Sequence, residues 1–389
     1  MEANFYYLRN QRSIMAGLYI HIPFCKSRCT YCSFFSTTRN ELHDVYVEAL
    51  CSEIMQRRDY LPKNTVNTLY IGGGTPSQLE YSHLDRILET ADKAFGLADA
   101  MEKTIECNPD DLTPSYISGL YRLGFNRISM GIQSFDDTIL KKLNRRHTAL
   151  QAVKAVKACQ ESGFSNINTD LMYGLPGQKT SDFIYDINKI ISLGVTHISA
   201  YSLTIEEGTP LAKEIEQDQT IQATDTLYEE MFNTLCTTLH NAGFEHYEIS
   251  NFALPGFHSR HNSNYWDGTP YLGFGAGAHS FDGMVRRWNV PDLDRYISSV
   301  RTGQAESESE ELSEKDQYNE MIMLSLRTSQ GVSLDKMRER FGQDAVTRFL
   351  DEASPWIKKK DLVRSGNSVH FSEPSLYISD GIISRLFRD

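Results

Sequence analysis

Three cysteines, Cys25, Cys29 and Cys32, fall within eight residues in the spacing C-x3-C-x2-C. The run Tyr19-Ile20-His21-Ile22 ahead of them is apolar and breaks at Pro23, so the thiols sit on a loop leaving a strand. Three thiolates this close can converge on one inorganic centre. Four would close a structural zinc site, whereas three leave a coordination position open. On a [4Fe–4S] cluster that open position is an iron free to take a small molecule. The alternative is a zinc site completed by His21 or His43, although His21 alternates into the strand.

Other residues with chemical potential recur at the ends of later apolar runs. Gly72-Gly73-Gly74-Thr75-Pro76 follows Ile71. Three glycines remove every Cβ and let backbone amides and carbonyls approach a ligand, or they form a tight turn and nothing more. Glu106 closes a run before Asn108-Pro109, where a buried carboxylate needs a cationic or hydroxyl partner. Gln133, Asp170 and Ser202 occupy the equivalent place on later runs. Arg145, in Leu143-Asn144-Arg145-Arg146-His147, either joins this set or is a surface cation at a helix end.

The elements that position these residues read as a strand–helix alternation. Strands are expected at 17–22, 68–71, 104–107, 127–131, 166–172 and 197–203, with helices at 42–57, 82–95, 114–123, 136–143, 149–162 and 181–192. Such alternation implies an α/β fold with a parallel sheet. In a TIM-like β/α barrel the active groups fall just after the strands, as they do here, and no G-x-G-x-x-G follows the first strand. A partial or complete barrel is therefore expected. A tail at 1–16, with Met15 as a second possible start, precedes a barrel at 17–304. An acidic, solvated linker at 305–314 then leads to a winged-helix-like α+β unit at 315–389, with helices at 315–326, 333–341 and 344–353, a hairpin around Gly366-Asn367, and a last helix at 378–387.

The net charge of −12 argues against nucleic-acid binding, which needs cationic surface, and no basic recognition helix accompanies the winged unit. Seven cysteines, three of them clustered, do not form a disulfide framework, so Cys51, Cys107, Cys159 and Cys236 read as reduced thiols. No apolar run reaches the roughly 18 residues of a membrane span, and no signal-peptide core opens the chain, which points to the cytosol.

With these residues in view, the chain resembles the oxygen-independent coproporphyrinogen III oxidase group of radical S-adenosylmethionine (SAM) proteins nearly end to end. The matching segments are 19–32, 72–76, 105–109, 131–135 and 170–176. The resemblance implies a radical SAM barrel with a C-terminal cap. It implies Cys25, Cys29 and Cys32 as ligands of a [4Fe–4S] cluster, and Tyr19, Tyr31, Gly73, Gly74, Thr75, Glu106, Gln133, Arg145 and Asp170 as SAM contacts.

Two departures separate the chain from the oxidases of that group. They carry a fourth cysteine two residues after the third, where this chain has Phe34, and a longer N-terminal extension that helps hold the porphyrinogen. Both departures are similar to the group's heme-chaperone branch, marked by H-N-x-x-Y-W, and His261-Asn262-Ser263-Asn264-Tyr265-Trp266 fits that motif. A histidine can ligate heme iron while neighbouring aromatics pack on the macrocycle, whereas a satisfied polar histidine among core aromatics is the ordinary alternative. His258 is a weaker candidate for a second ligand. The expectation is a heme chaperone with a cluster and SAM, passing heme from His261 to apo-hemoproteins such as respiratory enzymes, and dimeric as is common in the branch. The rival is an enzyme that decarboxylates porphyrinogen through a 5′-deoxyadenosyl radical.

Overall fold

A computed structural model describes residues 15–97, 101–217, 219–220 and 222–388. Of the expected tail only Met15 and Ala16 are among them, and Ala16 already opens the first strand.

Six strands alternate with helices as expected: β1 (Ala16–Ile22), β2 (Val66–Gly73), β3 (Glu102–Cys107), β4 (Arg127–Gln133), β5 (Asn166–Tyr173) and β6 (His197–Ser202). Each pairs in parallel with the next. The near-continuous burial of β1 is what a parallel strand covered on both faces requires. The intervening helices lay one apolar stripe on the outside. In Tyr81–Phe95, for example, Leu84, Ile87, Leu88, Ala91, Ala94 and Phe95 are buried. Each of the larger side chains, leucine, isoleucine or phenylalanine, contributes roughly 1.5–3 kcal/mol on burial.

The sheet continues beyond these six. β7 (Glu245–Glu248) and β8 (Asn251–Ala253) follow β6, with β8 antiparallel to it. On the other flank β9 (Tyr271–Phe274) runs parallel to β1, and β10 (His279–Phe281), β11 (Val285–Asn289) and β12 (Ser307–Glu311) continue antiparallel. The order is β12-β11-β10-β9-β1-β2-β3-β4-β5-β6-β8-β7, and the two edges do not pair, so the barrel is the partial one.

The acidic stretch expected as a solvated linker is instead the edge strand β12. Its backbone pairs with β11, and Arg286 reaches Glu310 while Arg287 Nε donates to Ser307 Oγ at 2.8 Å. Cross-strand partners of this kind let an acidic segment join a sheet.

The C-terminal unit has helices Glu314–Leu326 and Leu334–Lys359, the second broken at Gly342 (φ 83°), and a small sheet. That sheet comprises β13 (Val332–Ser333), β14 (Leu362–Ser365) and β15 (Ser368–Phe371) in the order β13-β15-β14, which matches the winged arrangement expected. The expected last helix is three short pieces, a 3-10 turn at Glu373–Ile378, the helix Ser379–Ile383 and a 3-10 turn at Ser384–Leu386. The unit is stitched to the barrel's end by Ile249 N–H to Arg327 O (2.9 Å) and Ser329 N–H to Tyr247 O (3.0 Å).

Candidate functional site

The curl of the sheet brings the C-terminal ends of β1 through β6 around a cavity of about 480 Å³. Its wall carries Cys25, Cys29, Cys32, Tyr19, Tyr31, Gly73, Gly74, Thr75, Glu106, Gln133, Arg145 and Asp170. Every residue expected from the sequence at the cluster and SAM positions is thus on one surface.

The cysteine loop is held from below. Cys25 N–H donates to Thr37 O at 2.8 Å, Thr37 N–H to Pro23 O at 2.7 Å, and Gly74 N–H to Ile22 O at 2.8 Å. The glycine run has a reason of its own. A Cβ on Gly74 would lie 2.9 Å from Phe24 O, and one on Gly72 would lie 2.7 Å from the Tyr70 ring. Gly73, at φ 115°, donates its N–H to Glu106 Oε2 at 2.9 Å. The glycines therefore let the end of β2 pass directly beneath the cysteine loop.

Two donors are aimed at sulfur. Thr75 Oγ1 donates to Cys25 Sγ at 3.4 Å, and Arg145 Nη1 to Cys29 Sγ at 3.3 Å. Burial pushes the Cys25 and Cys32 thiols up, so something positive must offset it before they ionise. Arg145 is no surface cation, since Nη2 also donates to Gly131 O at 2.5 Å and to Asn108 Oδ1.

The three loop sulfurs are not among the ligand sets that converge to within 4.8 Å, whereas Cys236, His246 and Glu373 are. A single zinc ion needs such convergence, and a polynuclear cluster needs thiols set wider apart. Of the two histidines that could complete a zinc site, His21 has both ring nitrogens engaged, by Tyr19 Oη at 3.0 Å and Phe35 O at 3.0 Å, and burial lowers it to about 4. His43 packs edge-on against Phe24 at 4.3 Å and does not line the cavity that the cysteines share. The residues present fit a cluster.

Deeper in the cavity, Glu106 accepts from Tyr70 Oη (2.7 Å) and Gly73 N–H, and burial raises it to about 7. Asp170 accepts from Asn168 Nδ2 at 2.8 Å and is raised by burial to about 6. Gln133 sits at a register shift between β4 and β5 with φ 71°, a left-handed backbone that costs a non-glycine residue about 1–3 kcal/mol. Gln133 Oε1 and Arg145 Nε are buried without a protein partner. Unpaired buried donors and acceptors on a cavity wall are what a polar ligand completes.

Asn108, Met172 and Tyr201 also line this cavity and were not singled out from the sequence. The available signal was their position at or just past strand ends. Phe34, 71% exposed, stands at the rim.

His261 is elsewhere. The motif forms a short helix, Arg260–Asp267, across the opposite, N-terminal end of the barrel. Glu102, at the start of β3, accepts from Arg260 N–H and His261 N–H, each at 3.0 Å. The His261 ring is 2% exposed, its Nδ1 lies 2.9 Å from Thr68 Oγ1, its Nε2 lies 2.9 Å from Tyr265 Oη, and it stacks on Tyr70 at 5.1 Å. Burial, then the charge of Arg127, lowers it to about 3. Both ring nitrogens are engaged and neither reaches solvent, so heme ligation by His261 would require its Thr68 and Tyr265 hydrogen bonds to open. Its offered partner His258 is instead paired to Glu245 Oε2 at 2.8 Å and stacked on Tyr247 at 4.2 Å.

Among the described residues, no helix is long and apolar enough to cross a membrane. The Radical SAM superfamily profile matches residues 19–190, and the HemN C-terminal domain profile matches 312–374. The chain is 32% identical over 372 residues to the heme chaperone HemW of Lactococcus lactis, covering 95% of this chain and 97% of that one. It is 34% identical over 368 residues to the HemW of Bacillus subtilis, covering 94% and 95%. Among solved structures, coproporphyrinogen III oxidase (HemN) from Escherichia coli superposes with a TM-score of 0.86 at 21% identity, covering 98% of this chain and 92% of that one, which establishes a shared fold. The cysteine loop, the cavity at the strand ends and this near full-length identity agree: the chain belongs to the heme chaperone HemW family of radical SAM proteins.

Proposed function

We propose that the chain binds heme and hands it to apo-hemoproteins. In this reading Cys25, Cys29 and Cys32 hold a [4Fe–4S] cluster, and SAM occupies the cavity beside them. The observation that carries it is identity along almost the whole length of proteins named heme chaperone HemW. When bound, the cluster supplies electron-transfer chemistry and an iron with an open coordination position.

The protein's own residues do the rest. Thr75 and Arg145 donate to two of the sulfurs and stabilise their thiolate forms. Gln133 Oε1 and Arg145 Nε present an acceptor and a donor to a polar ligand. Glu106 and Asp170 offer carboxylates held in place by Tyr70, Gly73 and Asn168. Tyr19 keeps His21 oriented beneath the loop, and Tyr31 closes one wall. His261 would take part in transient heme ligation once its hydrogen bonds to Thr68 and Tyr265 open, and until then it braces the barrel's base.

We further propose residues 17–304 as the cofactor-bearing barrel and 315–389 as its cap, a cytosolic location, and hemoproteins of membrane respiratory enzymes as clients, with the chain acting as a homodimer.

The deciding experiment incubates anaerobically reconstituted protein with reductant, SAM and coproporphyrinogen III, and in parallel heme-loaded protein with an apo-hemoprotein. Heme transfer without protoporphyrinogen formation is expected. Efficient decarboxylation would instead make the chain a porphyrin-making enzyme.

A further inference from the structure

Cys236, His246 and Glu373 bring three ligand atoms within 4.8 Å of one another. They come from three elements: the helix Asp225–Asn241, strand β7, and the turn Glu373–Ile378 of the C-terminal unit. None of them lines the cofactor cavity.

His246 Nε2 lies 3.3 Å from Ile249 O, a contact that only an N–H satisfies. That leaves Nδ1 facing Glu373 Oε1 at 3.1 Å and Cys236 Sγ at 3.9 Å. Phe252 stacks on the ring at 4.0 Å and 15°, fixing its direction. A ring lone pair and a carboxylate oxygen this close repel each other unless a cation lies between them. A proton on Nδ1 would serve, giving an ordinary ion pair. The third member of the set distinguishes a metal, because a buried thiol beside an imidazole and a carboxylate is a nitrogen, oxygen and sulfur donor set for tetrahedral zinc.

We propose that Cys236, His246 and Glu373 bind a zinc ion that clasps the C-terminal unit to the barrel. The half-exposed Glu373 side leaves the fourth position to water. On binding, a zinc–sulfur bond replaces the Cys236 S–H bond, and that proton, with any proton on Nδ1, leaves to solvent without oxidation or reduction. The seam is already closed here by Tyr377 Oη donating to Asp225 O at 3.0 Å. A metal bridge would reinforce an existing contact.

The test titrates cluster-loaded, full-length protein with zinc chloride against a competing chelator, and measures zinc and iron per chain after gel filtration. The expected result is one zinc per chain in the wild type, with affinity lowered at least tenfold in Cys236→Ser and in Glu373→Gln, and iron unchanged. Glu373→Gln alters a half-exposed side chain and keeps the test sound should Cys236→Ser fold poorly. Zinc should also raise the wild-type Tm by several degrees and leave that of Glu373→Gln in place. Absence of retained zinc, or equal zinc affinity in wild type and both variants, would overturn the proposal. Neither readout involves heme, so the result is independent of the chaperone reading.

Discussion

At the C-terminal ends of β2 through β5 the structure leaves polar atoms unpaired, holds Gln133 in a left-handed backbone and buries Glu106 and Asp170 at raised pKa. At the N-terminal ends, Thr68 of β2 and Glu102 of β3 are tied into a closed arrangement with the helix Arg260–Asp267. Tyr70 bridges the two, its hydroxyl on Glu106 and its ring on His261. The same strands therefore carry a left-handed backbone and cavity-facing open valences at one end, and at the other are capped by a helix that β2 and β3 hold through hydrogen bonds. A histidine motif at the closed end reads most economically as part of the support for the open one.

Ways to break this comparison run from large to small. Cys29→Ala should abolish the cluster, read as loss of iron and sulfide after anaerobic reconstitution, while the fold persists by circular dichroism; retained stoichiometric iron would remove Cys29 from the site. His261→Ala should cost about 2–4 kcal/mol in urea unfolding, since it opens a cavity and leaves the Thr68 and Tyr265 hydroxyls without their partner. Heme titration of the same variant should show weakened binding, and an unchanged titration would remove His261 from the heme site and leave it the supporting role alone. Gly74→Ala should cost about 1–3 kcal/mol through overpacking against Phe24 O, and should lower iron content because the loop itself must move.

The two ends should also respond to pH with opposite signs. Glu106, raised to about 7, binds its proton more tightly when folded, so stability falls as pH rises from its unfolded value toward 7. His261, lowered to about 3, binds its proton more tightly when unfolded, so stability falls as pH drops from about 6.5 toward 3. Each contributes at most about 1.4 kcal/mol per pH unit. Glu106→Gln should flatten the first limb and His261→Gln the second, in thermal melts across pH 4–8. The smallest effect is expected for Phe34→Cys, a change at an exposed rim position that should move stability by no more than about 0.5 kcal/mol and produce no porphyrinogen turnover.

Much of the open end was legible in the sequence because its signals are local. The C-x3-C-x2-C spacing, the triple glycine and the polar residues ending apolar runs each mark a strand end, and the fold gathers them on one cavity. The closed end was not legible. Nothing local in His261-Asn262-Ser263-Asn264-Tyr265-Trp266 tells that Thr68 and Glu102, far away in the chain, absorb its polar atoms. The reading of 305–314 as linker missed the strand at 307–311 for a related reason: composition reports charge but not the β11 backbone that pairs with it or the Arg286 that meets Glu310. The glycine run was located correctly, while the physical need for it, a backbone crossing beneath the cysteine loop, becomes visible only in three dimensions.

The acidic edge strand β12 has a consequence for how copies of this chain meet. A terminal strand offers unpaired amides and carbonyls to any passing strand, and uncontrolled addition there leads to aggregation. Here the exposed Glu308, Glu310 and Glu311 ride on that edge. Two copies aligned edge to edge at β12 would face carboxylates with carboxylates, a repulsion that salt screens only partly at short range. This edge guards against runaway polymerisation of the sheet, and directs any assembly of the protein toward other faces.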